Sequence, residues 1–290
     1  MIINPISYPG NKNKLLKEII PLFPNNYNSM VDVFCGSGVV GANASCVNIY
    51  CNDNNPFTIQ VLKYFYGHCS KSIIADMETI IAQYGLTYSR TKPKGFYIEH
   101  KHEGLSLYNK QGYNKLKDDY NKDKDIRKLV ALLIYGFNHY LRFNADGIFN
   151  VPVGKVDFSN SIYNNMISFV DGIKTKDISF STLDFTDKRL YQDTEAFYYF
   201  DPPYSITTAP YNSSWSSQDD DQLFSLIDGL HARNSLFAMS NVMLSNGKEN
   251  LPLKEWAKKY NTHLLKRQYR NANYQKKNVT DSIEVLITNY

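Results

Sequence analysis

The tetrapeptide Asp201-Pro202-Pro203-Tyr204 is the part of this sequence whose residue types most directly indicate chemistry. It follows four aromatic residues, 197–200, that are typical of a buried strand. A carboxylate beside a backbone carbonyl can accept both hydrogens of an amino group, which directs the nitrogen lone pair at an electrophile. The prolines hold the carbonyl outward, and the tyrosine offers a flat surface for a base. The tetrapeptide therefore predicts a site that activates an exocyclic amine; the alternative is a plain proline-rich turn.

A second candidate site is a glycine turn between two predicted strands. Its residues are Phe34, Cys35, Gly36, Ser37 and Gly38. A glycine turn lets the backbone approach a ligand, and Asp53, at the end of the next strand, can accept hydrogen bonds from ribose hydroxyls. No third glycine falls in the dinucleotide register, which disfavours a nicotinamide cofactor and suits a nucleoside such as S-adenosylmethionine. An ordinary tight turn is the alternative.

The amino-terminal run Tyr8-Pro9-Gly10-Asn11-Lys12 is a third candidate. An aromatic side chain, a glycine turn and a lysine could cover a cofactor and bind a carboxylate. The run alone favours a solvated turn.

The elements that would position these residues are alternating strands and helices, except in the middle of the chain. Strands are predicted at residues 30–34, 48–51, 178–182, 197–200, 236–240 and 282–288, and helices at 39–47, 218–232 and 253–260. Residues 58–166 are mostly helical and basic, with a predicted hairpin formed by residues 140–143 and 148–153 around Asn144-Ala145-Asp146-Gly147. We therefore expect a first catalytic part at 1–57, an inserted domain at 58–167 and a second catalytic part at 168–290.

Positive charge is concentrated in two segments. Residues 90–128 contain eleven Lys or Arg and six Asp or Glu, a surplus of 11 − 6 = +5 in a chain whose net charge is +4. Residues 264–277 contain five basic residues and no acid, with Tyr269 and Tyr274 between them. Basic residues interleaved with tyrosines suit a phosphate backbone, and the alternative for the first segment is a solvated helix face.

Composition excludes several classes of protein. A hydrophobic fraction of 43% supports a folded core. The longest apolar run, residues 129–137, has nine residues, fewer than the ~20 that span a bilayer. Four cysteines without metal-ligand spacing predict a reducing cytoplasm and no structural zinc. We expect a cytoplasmic protein without a signal leader, a metal or a membrane partner.

The three motifs, in this order and with the insertion before the Asp-Pro-Pro-Tyr, resemble the Dam-type DNA adenine N6-methyltransferases of the α group, and the T-even-phage branch most. The resemblance covers nearly the whole chain, including Phe149-Asn150-Val151-Pro152. It implies a Rossmann-like class I methyltransferase sheet whose inserted, mainly helical domain recognises the target through its hairpin. It also implies S-adenosylmethionine as cofactor, double-stranded DNA as partner, and a monomer or weak dimer associated with nucleoid or phage DNA.

The resemblance assigns roles to single residues. Tyr8 and Lys12 would lie at the methionine end of the cofactor, residues 34–38 beneath it and Asp53 at its ribose. Asp184 and Phe185 would hold the cofactor's adenine. The implied catalytic residues are Asp201, Pro202, Pro203 and Tyr204, and Asp201 also borders the cofactor.

The resemblance also implies a DNA-contacting set: Phe137, Asn138, Tyr140, Arg142, Asn144, Pro152 and Lys155. Arg142 would read a guanine, Pro152 would touch a thymine methyl group, and Phe137 or Tyr140 would lie near the base-pair steps. Family members usually methylate the adenine of GATC after flipping it out of the duplex.

Two positions depart from the family pattern. Ser7 stands where cellular members carry a lysine, and Val156 where the family has an arginine or tyrosine. Both positions are associated with the first guanine, and valine has no donor for a guanine. We expect relaxed reading of the first base, or a substitute reader such as Lys155. Other functions stay open: methylation of cytosine N4 or of RNA adenine, and a catalytically silent DNA-binding regulator.

Overall fold

A computed structural model of the chain describes residues 1–6, 10–93, 96–97, 104–207, 215–265 and 282–290. The helices of these residues are α1 (Leu16–Ile19), α2 (Val39–Asn43), α3 (Pro56–Gly67), α4 (Ser70–Tyr84), α5 (Ser106–Asp123), α6 (Ile126–Tyr135), α7 (Asn160–Ile173), α8 (Ser217–Ala232) and α9 (Leu251–Trp256). The strands are β1 (Ser29–Asp32), β2 (Asn48–Asn52), β3 (Asp177–Ser181), β4 (Phe197–Phe200), β5 (Phe237–Ser245), β6 (Lys248–Glu249), β7 (Asn261–Leu265) and β8 (Ser282–Thr288).

The strands of the described residues form one sheet in the order β3-β2-β1-β4-β5-β8-β7, with β6 paired to β5. Strands β1 to β5 are parallel, whereas β8 is antiparallel to β5 and β7. The chain runs outward from β1 to β3 and then resumes on the other side of β1 with β4, so the strand order reverses between β1 and β4. Open sheets of this type bind ligands at the carboxyl ends of the strands at such a reversal. The expected Rossmann-like α/β sheet with a helical insertion is confirmed.

Both faces of the sheet are covered by apolar side chains. On β4, Phe197 and Tyr199 join a core shared with α2, α3 and α7, while Tyr198 and Phe200 join a second core shared with α8 and α9. Because successive side chains of a strand point to opposite faces, four aromatic residues in a row fit a strand covered on both sides.

The inserted helices α4, α5 and α6 extend the first of these cores. Residues 129–135 of α6 are all buried, so this helix is surrounded by protein. Helix α5 is amphipathic and buries Tyr113, Leu116 and Tyr120. Helix α3 contacts the sheet through Tyr66, whose ring lies 5.7 Å from that of Phe180. The division of the chain at residues 57 and 167 stays a prediction.

Several element boundaries differ from the sequence prediction. The helix expected over 39–47 ends at Asn43, because Ala44 is extended. Strand β5 continues five residues past the predicted end at 240, to Ser245. The sequence did not predict β7, an edge strand whose residues are largely exposed and therefore lack an alternating apolar pattern.

Among the described residues, no helix is both long and apolar enough to cross a bilayer. The described part of the chain likewise contains no group of His, Cys, Asp or Glu placed to hold a metal ion. The four cysteines are free, and three of them are buried. The cytoplasmic location and the oligomeric state stay predictions.

Candidate active site

The carboxyl ends of β1 and β4 open into a cavity of about 590 Å³. The two strands pair in parallel with Asp32 opposite Tyr199, so the loops that follow them leave the sheet side by side. Residues 10–12, 53–58 and 140–143 complete the wall. One cavity therefore joins parts of all three sequence motifs to the predicted DNA-recognition segment.

Asp201 lies at the end of β4 and is bound by two donors. The Lys12 ammonium group donates to both of its oxygens at 2.5 Å, and the Tyr204 hydroxyl donates to Oδ1 at 2.8 Å. The side chains of Lys12 and Asp201 are only 6% and 15% exposed. Burial raises the pKa of Asp201, and the charge and hydrogen bond of Lys12 offset part of that rise. Burial and Asp201 together raise the pKa of Tyr204, so this phenol stays a donor.

The glycine turn leads from β1 into α2 with two residues in the left-handed region. Gly36 has φ +47° and Gly38 has φ +68°, conformations that favour glycine. A Cβ on Gly38 would also lie 3.0 Å from Leu62 Cδ2. The Cys35 amide donates to the Asn52 carbonyl at 2.7 Å, which fixes the turn against the end of β2.

Asp53 connects that turn with the start of α3. Its Oδ2 accepts from the Gly36 amide at 2.9 Å, and its Oδ1 accepts from the Asn55 amide at 2.9 Å. Burial raises the pKa of Asp53, although both hydrogen bonds favour the ionised form. The predicted ribose-binding acid is therefore held at the cavity wall by the backbone of the predicted cofactor turn.

Sequence reasoning treated Asp32 only as part of a strand, but the structure places it at the base of the cavity. It is 1% exposed, and neither carboxylate oxygen has a hydrogen bond of normal geometry among the described residues. Burial and the nearby Asp201 and Asp53 raise its pKa well above the ordinary value, and the Gly41 amide opposes this rise. An acid at the last position of a strand before a glycine turn was the signal that could have identified it.

Three aromatic rings cluster beside the glycine turn. Phe34 lies 5.6 Å from Phe185 and 5.7 Å from Trp215, and Phe185 lies 5.2 Å from Trp215, between ring centroids. The Trp215 indole donates to Asp220 at 2.8 Å. Asp184 is exposed, and its Oδ1 accepts from the backbone amide of Thr186 at 2.9 Å. Sequence reasoning missed Trp215 because it lies outside every motif, 30 residues after Phe185.

The segment predicted as a hairpin is a narrow antiparallel loop without two continuous strands. Two isolated antiparallel bridges, Gly136 to Val153 and Phe143 to Phe149, hold it together. The antiparallel arrangement predicted for 140–143 and 148–153 is present: the Asn144 amide donates to the Ile148 carbonyl at 3.0 Å, and the Asn150 amide to the Arg142 carbonyl at 3.4 Å. The pairing is limited to single bridges and does not extend into two continuous strands. The Asn121 side chain also bonds both the N–H and the C=O of Phe149.

The predicted DNA-contacting residues fall into two groups. Tyr140 and Arg142 line the cavity. Phe137 is 42% exposed, and its amide donates to the Pro152 carbonyl at 2.8 Å, so these two residues lie together at the base of the loop. Asn138, next to Phe137, has φ +51°.

Two side chains of the loop have structural partners. The Arg142 guanidinium donates to the side chain of Asn150 at 2.8 Å and to its carbonyl at 3.1 Å. Asn144 closes the loop tip by accepting from the amides of Asp146 and Ile148. Lys155 and Val156 are exposed beyond Pro152.

Several basic side chains of the first basic segment, residues 90–128, are paired with other side chains of this protein. Arg127 pairs with Asp125, Lys128 with Asp123, and Lys122 with Asp119. Arg90 stacks on the Tyr163 ring at 3.8 Å. Of the second segment, only residues 264 and 265 are described, and the rest lies outside the described residues. Tyr8 and Ser7 also lie outside them.

The cavity is large enough for a nucleoside and lies at the strand reversal of a Rossmann-like sheet. Beside it is a carboxylate that can accept an amino hydrogen. This combination is typical of a methyltransferase active site. Residues 8–271 match the model of the D12 class N6 adenine-specific DNA methyltransferases, and the chain belongs to that family. The family expected from the sequence is thereby confirmed, while the T-even-phage branch stays a prediction.

The chain is similar to several curated proteins. It is 34% identical to the type II methyltransferase M.FokI of Planomicrobium okeanokoites and 33% identical to the modification methylase StsI of Streptococcus sanguinis, each over 100% of this chain and 43% of the relative. It is 23% identical to the DNA adenine methylase of Escherichia coli K12, over 90% of this chain and 86% of that protein. The chain thus spans less than half the length of M.FokI and StsI.

Proposed function

We propose that this chain transfers a methyl group from S-adenosylmethionine to N6 of an adenine in double-stranded DNA. The observation that carries the proposal is the cavity at the reversal between β1 and β4, where Asp201 and the glycine turn meet. Family membership supports the same reaction.

The described residues fit the proposed cofactor. Asp32 is a buried carboxylate to which no cation of the described residues is hydrogen-bonded, and this suits the ammonium group of a methionine moiety. Asp53 would accept from ribose hydroxyls, and the cluster of Phe34, Phe185 and Trp215 would border the adenine. Tyr8 and Lys12 stay proposed neighbours of the methionine end. When bound, S-adenosylmethionine supplies an electrophilic methyl group on a sulfonium.

Asp201 is proposed to orient and deprotonate the substrate amine. Lys12 and Tyr204 occupy part of its hydrogen-bonding capacity, and a carboxylate with about four acceptor positions has room for one amino hydrogen. The Pro202 carbonyl would accept the other hydrogen. As the nitrogen bonds to the methyl carbon, the carbon–sulfur bond would break with its electron pair left on sulfur, and the amine would lose one proton to Asp201. Lys12 favours the ionised carboxylate that this step requires.

The loop at residues 136–156 is proposed to read the DNA while the target base is flipped into the cavity. Arg142 lines that cavity and carries the donors that suit a guanine, and Phe137 is exposed where an aromatic wedge could enter the base stack. The remaining proposed contacts are Asn138, Tyr140, Asn144, Pro152 and Lys155. GATC is the proposed target, with relaxed reading of the first base because Val156 offers no donor.

Transfer of labelled methyl to short duplexes tests this proposal. The set contains GATC, its three first-base variants, and a duplex whose adenine is replaced. We expect transfer that depends on the adenine, with first-base changes costing less than the ~1–3 kcal/mol typical of a mismatched base pair. Transfer to GATC alone would contradict relaxed reading and direct attention to Lys155. Transfer to none of these duplexes would overturn the GATC assignment and make RNA the next substrate to test.

The mass of the modified nucleoside separates the alternatives. N4-methylcytosine, or methyladenine formed only in RNA, would identify the other amine substrates that the same acceptor geometry serves. Binding of duplex without any transfer would identify a silent regulator.

A modification role in a restriction system is supported by the similarity to proteins named as type II methyltransferases. Protection of plasmid DNA, isolated from cells that express the chain, against an endonuclease of the same site would test this role.

A further inference from the structure

Two phenylalanine rings from distant parts of the chain stack at the cavity wall. Phe57 lies in the first turn of α3, and Phe143 lies in the recognition loop. Their ring centroids are 3.8 Å apart and their planes differ by 17°. Both residues are half-buried and line the cavity. The stack therefore joins the end of the sheet that carries the proposed cofactor site to the loop proposed to read DNA.

On one side, the position of Phe57 depends on the proposed ribose-binding acid. Asp53 accepts from the Asn55 amide at 2.9 Å, and the Asn55 side chain, as N-cap of α3, accepts from the Phe57 amide at 3.0 Å. Pro56 fixes φ between them. The other oxygen of Asp53 holds Gly36 of the glycine turn. A shift of Asp53 would therefore move the Phe57 ring.

On the other side, Phe143 is fixed to the rest of the recognition loop. Its ring meets that of buried Phe149 edge-on at 5.5 Å, and Asn121 of α5 holds the backbone of Phe149 with two hydrogen bonds. Phe143 directly follows Arg142, whose guanidinium is held by Asn150 across the loop. A shift of the Phe143 ring would therefore move Arg142.

We propose that Phe57 is a positioning residue for DNA recognition. Its stack on Phe143 sets the recognition loop over the cavity and couples cofactor binding at Asp53 to base reading at Arg142. This inference rests on the proposed function. An aromatic pair changes an equilibrium constant about two- to tenfold beyond its burial, and residues in contact give non-additive effects when both are replaced.

The test compares Phe57→Ala, Phe143→Ala and the double variant in steady-state methylation of the cognate duplex. We expect each single variant to raise the KM for DNA and to lower the preference for the cognate over a one-mismatch duplex by about tenfold. The affinity for S-adenosylmethionine without DNA should stay within about twofold. The second substitution should add little, because the first has already removed the stack.

Two further variants separate stacking from folding. Phe57→Tyr keeps a flat ring and should restore the cognate preference, whereas Phe57→Leu keeps an apolar side chain of similar size and should not. Phe180→Ala is the matched control, because Phe180 is a half-buried ring that contacts the opposite end of α3, at Tyr66. Its KM for DNA and its preference should be unchanged.

If the wild-type protein is active, two results would overturn this inference alone. One is a Phe57→Ala variant that prefers the cognate duplex as strongly as the wild type does. The other is a double variant whose effect equals the sum of the two single effects. A decrease in kcat without a change in KM for DNA or in preference would also contradict it. A wild-type chain that methylates no duplex would overturn the proposed function, and the role in DNA recognition with it.

Discussion

Asp32 and Asp201 lie at the ends of neighbouring parallel strands, face the same cavity and differ mainly in their partners. Asp201 accepts from Lys12 and Tyr204. Asp32 is 1% exposed and has no hydrogen bond of normal geometry among the described residues. Burial is the largest influence on both carboxyl groups and raises the pKa of each.

The difference shows that residue type and strand position do not fix a carboxylate's role. A buried carboxylate next to a fixed cation keeps its charge and can serve as an acceptor throughout a reaction. A buried carboxylate without a cation is costly to ionise and becomes favourable when a ligand brings a positive charge. We therefore propose that Asp201 activates the amine and that Asp32 binds the cofactor.

The largest expected effect follows from replacing the partnered carboxylate. Asp201→Asn removes the charge and keeps the shape, so kcat should fall by roughly 10²–10⁴-fold, the range of general acid–base catalysis. Binding of S-adenosylmethionine, measured by calorimetry, should persist. Asp187→Asn, at an exposed ion pair with Arg189, is the control and should retain activity. Wild-type kcat in Asp201→Asn would remove this residue from the mechanism.

The next effect tests whether Lys12 is what distinguishes the two carboxylates. Lys12→Met leaves Asp201 buried without its cation, which typically costs about 3–5 kcal/mol of unfolding free energy. The pKa of Asp201 should rise further, so the acid limb of the kcat–pH profile should move to higher pH. Lys176→Met is a suitable control, since Lys176 donates to the carbonyls of Ala44 and Cys46. An unmoved acid limb would show that Lys12 does not set the charge of Asp201.

A smaller effect is expected from replacing Asp32. Asp32→Asn should weaken S-adenosylmethionine binding about 10- to 100-fold, as expected for the loss of a charged hydrogen bond worth about 1.5–3 kcal/mol. The free protein should be no less stable. Asp157→Asn is the matched contrast: Asp157 is equally buried but accepts from Ser89, so its replacement should destabilise the protein. Unchanged cofactor affinity in Asp32→Asn would argue against the proposed ammonium site.

The smallest effect is on the pH dependence of stability. The pKa of Asp32 is raised in the folded state, so the folded protein binds this proton more tightly than the unfolded chain does. Its contribution is fully present below the ordinary aspartate pKa of about 3.9 and is lost as the pH rises through the raised pKa. In urea titrations, Asp32→Asn should remove a slope of at most about 1.4 kcal/mol per pH unit. Equal slopes in both proteins would mean that Asp32 does not titrate in this range.

Local sequence patterns predicted much of the sheet. Residues 197–200 and the stretch before the glycine turn are short apolar runs bounded by turn residues, which indicate buried strands. The family resemblance, not a local pattern, implied that the glycine turn and Asp201 border the same cofactor. Edge strand β7 lacked such a pattern because its residues are largely exposed.

The sequence by itself determined which groups were available: a carboxylate after an aromatic strand, a glycine turn, an acid after the next strand and a basic helical insertion. Only the tertiary structure decided their partners. Lys12 contacts Asp201, 189 residues away, and Phe57 stacks on Phe143 at the cavity wall, whereas Asp32 has no hydrogen bond of normal geometry among the described residues. Apolar residues repeating every 2 residues in a strand, or every 3.6 in a helix, indicate which face of the element is buried. They do not indicate which distant side chain packs against that face.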